Sequence, residues 1–263
     1  MFKLNAYQLK WIAIVAMFLQ HMFIALSEIF PSILVFPLYA VGGFTYPIMA
    51  YFVVEGYRHT SNLMRYILRI FVFGLIALPF HIVALGIPLG GGNPYFYPWI
   101  NIMFSIILSL IVLVIYDKIK VRALFWLIYV VVIVPISFLF FEWYFIGTTM
   151  VLLYHIIRNE TVRRIVPPIV TAAFWLAFAW ATGLDGFMNL ENTDIFIARS
   201  DFQSLMISFG IVCGLTSILL LSYNGERGKK MKWLFYVFYP LHLFVLAAVG
   251  VALGLIDLSL IGF

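Results

Sequence analysis

Charge is scarce in this chain. Of 263 residues only 10% are Asp, Glu, Lys or Arg, with 11 acids against 16 bases, whereas soluble domains carry about 25%. That scarcity excludes a soluble enzyme with a solvated surface. A single cysteine, Cys213, excludes an internal disulfide and a thiolate metal centre. It lies within an apolar segment and reads as a small packing residue. No Gly-x-Ser-x-Gly surrounds Ser105 or Ser109, and no P-loop, dinucleotide fingerprint or metal-ligand spacing occurs. Internal repeats and low-complexity linkers are missing too, so residues 1–263 are read as a single domain.

What the chain has instead is apolar length. It is 65% hydrophobic, and its mean hydropathy is +1.08. Runs of about 20 apolar residues recur, each long enough for a bilayer core of roughly 30 Å. The expected fold is all-α, a polytopic transmembrane helix bundle of about nine spans, at 8–29, 33–57, 65–85, 98–116, 122–141, 143–157, 165–182, 203–222 and 233–254. The sixth is short, and its junction with the fifth, at Glu142-Trp143, is the tightest boundary. The first run lacks a small-residue cleavage site and reads as a retained helix rather than a signal peptide.

Charge placement orients the bundle. With the N-terminus cytoplasmic, every Lys and Arg of the 16 except Arg199 falls on the inner side. The outer 183–202 loop carries Asp185, Glu191, Asp194 and Asp201 instead. This is the positive-inside pattern and puts the C-terminus outside. The basic excess then speaks of anionic membrane lipids, not nucleic acid.

Ionisable groups within spans are functional candidates. His21 lies deep in the first helix, 11 residues after Lys10. At 100° per residue that is three turns plus about 20°, so the two share a face, with a rise of roughly 16 Å. Lys10 equally suits a lipid phosphate, and His21 a packed, hydrogen-bonded histidine. His242, two residues after Pro240, reaches a similar depth in the last helix. Glu55 ends the second helix at the depth of Lys10, suggesting an ion pair. Arg58, Arg65 and Arg69 follow, with Arg227 in the basic loop before the last helix, and guanidinium forks suit phosphates as well as headgroups. Gln20 and Asn101 are amides within apolar helices, where helix–helix hydrogen bonds also explain them. His81 stands beside Pro79.

The blocks "LKWIAIVAMFLQH", "VEGYRHT" with "YILR", "INIMF", "YNGERG" and "FYPLHL" resemble the TraX family, whose namesake is a pilin acetylase. The Lys10–His21 spacing is similar to that of acyltransferase-3 enzymes. The resemblance implies transfer of an acetyl or short acyl group from acyl-CoA, the acetyl-CoA donor lying at the cytoplasmic side of a bacterial plasma membrane. The acceptor would be an amine or hydroxyl of a membrane-associated peptide, lipid or glycan, and no metal is implied. It makes His21 a general base, with His242 and Glu55 as further catalytic candidates. Lys10, Arg58, Arg65, Arg69 and Arg227 would hold the CoA phosphates, and Gln20, Asn101 and Tyr239 the substrate. Gln20 stands where the family usually has aspartate, and His81 near where many members have an acid. The alternative from the residues alone is a transporter or flippase with proton-coupling histidines.

Overall fold

The computed structural model describes residues 3–86, 100–182, 199–230 and 232–261, all helical apart from turns and two isolated bridges. The helices are α1 (Ala6–Ala25), α2 (Val35–Ala40), α3 (Thr45–His59), α4 (Leu63–His81), α5 (Ile102–Lys118), α6 (Arg122–Ile128), α7 (Val134–Phe140), α8 (Tyr144–Ile156), α9 (Glu160–Thr182), α10 (Arg199–Leu221) and α11 (Lys232–Ala252). Several join into longer rods. A 3-10 turn over Val41–Phe44 links α2 to α3, and a π-turn over Tyr129–Ile133 links α6 to α7, where Pro135 cannot donate to the preceding turn.

Among the described residues seven helical stretches are long and apolar enough to cross a membrane: Ala6–Ala25, Ser32–His59, Leu63–Gly86, Arg122–Phe140, Glu160–Ala181, Phe202–Leu221 and Trp233–Ala252. The protein is a multi-pass membrane protein. The other two expected spans are the 17-residue α5 and the 13-residue α8, the latter flanked by the tight Glu142-Trp143 junction. Apolar side chains cover the outside, among them Leu68, Leu75, Val131, Ile169, Trp180, Ile211 and Val245, as a lipid-facing surface requires.

Asparagines start several helices. Asn5 Oδ1 accepts from Gln8 N–H at 3.0 Å while Gln8 returns the bond, and Asn62, Asn101 and Asn159 cap α4, α5 and α9 similarly. Asn101 also donates to the Gly74 carbonyl at 2.9 Å, so its amide both caps α5 and joins it to α4.

The start of α1 is stitched to the Tyr223–Lys230 loop. Leu4 N–H donates to Ser222 O, Asn224 N–H to Leu4 O, and Ala6 N–H to Glu226 O, at 2.8–2.9 Å. The last of these satisfies a helix-terminal donor. Gly228 (φ +66°) closes the loop so tightly that a Cβ would lie 2.8 Å from Asn5 Oδ1 and from Tyr7 Cβ. Gly228→Ala is therefore expected to cost about 1–2 kcal/mol, the left-handed penalty alone. A thermal melt of the detergent-purified protein checks it, and an unchanged melt would show that the loop is not clamped.

α1 runs through the middle of the bundle, against α2, the Val41–Phe44 turn, α3 and α11. α9 and α10 pack along each other, and α4 packs on α11. Gly43 permits the approach of α10: a Cβ there would meet the Phe209 carbonyl at 2.7 Å and Cys213 N at 3.0 Å. Cys213 is buried. The central position of α1 places His21 where three other rods converge.

Candidate functional site

His21 and His242 meet. His21 Nδ1 lies 2.8 Å from His242 Nε2, the rings are 15° from parallel, and both side chains are buried. His242 Nδ1 lies 2.8 Å from the Phe238 carbonyl oxygen, which only accepts. The chain of bonds thereby assigns the protons. With both rings neutral, His242 carries its proton on Nδ1 and accepts at Nε2, so His21 donates from Nδ1. The lone pair left over is on His21 Nε2. Phe238 stacks on His242 with centroids 4.8 Å apart, and Tyr239 meets it edge-on at 5.6 Å. An interhelical hydrogen bond in a membrane is worth about 0.6 kcal/mol on average. Stability alone is thus a weak reason to place two histidines there.

Beside the pair is a cavity of about 120 Å³. Gln20, His21 and Ile24 of α1 form one part of its lining, with Leu85 after α4. Tyr39 of α2, Trp175 of α9 and Phe209 of α10 form another. The remainder is Glu142-Trp143-Tyr144, the turn between α7 and α8. Trp143 (φ 68°) and Tyr144 (φ 46°) both have left-handed backbone, a cost of about 1–3 kcal/mol each that persists only where surroundings enforce it. Trp143 is held by stacking on Tyr46 at 4.6 Å and by Phe209 and Trp175. Ser105 Oγ donates to the Glu142 carbonyl at 2.6 Å.

Glu142 is the site residue that sequence reasoning missed. Burial in this inter-helix turn pushes its carboxyl up to about 7, although the Ile102 N–H at the start of α5 donates to it. Its Oε2 is buried with no hydrogen-bond partner among the described residues, and no described Lys or Arg pairs with it. The available signal was a lone acid between two apolar runs, which had marked only a boundary.

The remaining expected residues divide into two groups. Gln20 lines the cavity, and its amide packs against Gly42. Tyr239 is buried near Glu142, its hydroxyl beside the same Ile102 N–H. Lys10 lies over the rings of Phe52 and Phe235, 4.8 and 5.4 Å from their centroids, at the basic end of the bundle and near Arg227. Glu55 does not pair with Lys10. It binds Arg163 at 2.8 Å and Arg58 at 3.8 Å, and does not line the cavity beside His21. Arg58 also donates to the Tyr154 and His155 carbonyls of α8. Arg65 is exposed and Arg69 half-buried, and neither has an acidic partner among the described residues.

The chain is 29% identical over 255 residues to a protein of Dichelobacter nodosus called probable fimbrial assembly protein FimC, serogroup H1, covering 93% of this chain and 95% of that one. No solved structure matches it. A family model described as TraX protein matches residues 5–250, and the chain belongs to the TraX family.

Proposed function

We propose that the protein is a membrane acetyltransferase that moves an acetyl group from acetyl-CoA, entering at the cytoplasmic side, to an amine or hydroxyl of a membrane-associated acceptor such as a pilin-like peptide. The observation that carries this reading is His21 Nε2, an imidazole lone pair oriented by His242 beside a cavity in the bundle. The TraX family's link to pilin acetylation points the same way. In the reaction, His21 Nε2 accepts the acceptor's proton as its nitrogen or oxygen attacks the thioester carbonyl, and returns a proton to the departing thiolate. Lys10 and His21 share a face of α1, so a pantetheine arm laid along that face would join the basic mouth to the base. Acetyl-CoA is a substrate in this scheme, and no other cofactor is invoked.

Two measurements test it. Purified protein in nanodiscs should transfer or hydrolyse labelled acetyl-CoA, and His21→Ala should not. CoA should raise the melting temperature, and the Arg65→Ala/Arg69→Ala double variant should lose most of that rise, since neither arginine has an acidic partner among the described residues to compete for it. Arg58→Ala should instead lower the melt without CoA. An unchanged CoA shift in the double variant places the phosphates elsewhere, at Lys10 and Arg227.

A further inference from the structure

Acetylating an amine moves two protons off nitrogen. The balance is R–NH₃⁺ plus acetyl-S-CoA giving R–NH–acetyl, HS-CoA and H⁺. One proton ends on the thiol and one is released. A hydroxyl acceptor loses only one. His21 Nε2 accounts for the proton that passes to sulfur, and the other needs a second acceptor.

We propose that Glu142 is a second catalytic base of this cavity, taking from an ammonium-bearing acceptor the proton that must leave before its nitrogen can attack. The assignment rests on the acetyl-transfer reading above. Glu142 lines the same cavity as His21 but arrives from the turn between α7 and α8. Its Oε2 is a buried acceptor with nothing to accept from among the described residues. A lone carboxylate in low dielectric is costly until a cation or a proton joins it. The neighbouring faces of Trp143, Trp175 and Phe209 suit a cation as well. The titratable groups around the carboxyl are tyrosine hydroxyls, Tyr39 of α2, Tyr46 of α3, Tyr144 of α8 and Tyr239 of α11, with His21 of α1 on the cavity wall. Among these none is a fixed charge.

In the step itself, Glu142 Oε2 takes an N–H proton and becomes a carboxylic acid. The freed nitrogen lone pair forms the C–N bond at the thioester carbonyl. The C–S bond breaks as the tetrahedral intermediate collapses, and His21 Nε2 carries the second N–H proton to the thiolate. Glu142 then returns its proton to water. Titration near neutral pH lets the group both take and release it.

The bland role for Glu142 is to cap α5 through Ile102 N–H. Glu142→Gln separates the two, because glutamine keeps an oxygen for that bond and loses the basicity. Labelled acetyl-CoA and a synthetic peptide with a free α-amine are the probes, with the protein in nanodiscs. Glu142→Gln is expected to be about 100-fold slower at pH 7. The deficit should shrink toward pH 9, because an α-amine with a pKa of about 8 sheds its own proton there. The CoA melting shift should be unchanged. An unaltered rate, or a deficit equal at every pH, overturns the assignment while leaving the acetyltransferase reading intact. A wild type that neither acetylates nor binds CoA overturns both. If Glu142→Gln melts well below wild type, Glu142→Asp serves instead: a profile parallel to wild type is expected, and one that follows the free amine overturns the proposal.

Discussion

His21→Ala is expected to slow acetyl transfer by about 10²–10⁴-fold while moving the melting temperature little. The rate estimate is the ordinary worth of a positioned general base. The stability estimate follows from the small value of interhelical hydrogen bonds in membranes, about 0.6 kcal/mol. His242→Ala should produce a smaller fall, because it touches the reaction only by fixing which nitrogen of His21 is basic. Since the two act as a unit, the double variant should be little worse than His21→Ala alone. Full additivity would mean that the rings act separately, and a His21→Ala protein with wild-type turnover would end the base assignment.

The second large effect concerns stability. Arg163 is buried, and its Nη2 alone binds Tyr51 Oη at 3.0 Å, Glu55 Oε1 at 2.8 Å and Glu160 at 2.9–3.0 Å, tying α3 to α9. Arg163→Leu removes the cation shared by both carboxylates, leaving Glu55 only the 3.8 Å contact to Arg58 and Glu160 only Arg164 at 3.0 Å. Breaking a buried pair costs about 3–5 kcal/mol. The low end applies here, because the side chains of Glu55 and Glu160 are 28% and 47% exposed and reach water. Arg163→Lys should recover more than half of that loss. All the bonds come from one nitrogen, and Nε and Nη1 are buried without partners, so lysine forfeits little. Equal melts for the leucine and lysine variants would show that the guanidinium plane matters, and that stacking of Arg163 on Tyr51 (4.8 Å) outweighs the ion pairs.

Helix periodicity made much of this legible. The register of α1 put Lys10 and His21 on one face, and counting from the two helix starts brought His21 and His242 to one depth. Both inferences need only regular helices. The partner of Glu55 could not be read by depth alone: Arg163 comes from α9, a neighbour that no spacing predicts, while Lys10 lies over two aromatic rings instead. Asn101, an amide that helix–helix hydrogen bonding explains, makes that bond to Gly74 of α4 and also caps α5, which begins there. Glu142 was invisible for a different reason. Its place in the cavity depends on two successive left-handed residues, Trp143 and Tyr144, that only tertiary packing enforces. Gln20 beside His21 is a departure within α1. An acid nevertheless lines the same cavity, supplied from a remote turn.

The bond between His21 and His242 spans 221 positions of sequence, and the backbone donors at Leu4 and Ala6 likewise wait for Ser222 and Glu226. At 5–20 residues per second a ribosome needs roughly 10–40 s to cover that distance. For that interval α1 sits in the bilayer with the His21 imidazole lacking its His242 partner and with the opening of its helix unstitched. The nascent chain is therefore at its most vulnerable early, and its histidine pair forms late. A stalled or truncated product has neither the His21–His242 bond nor a closed basic end, so the proposed acetyl transfer would be confined to molecules whose synthesis has run through α11.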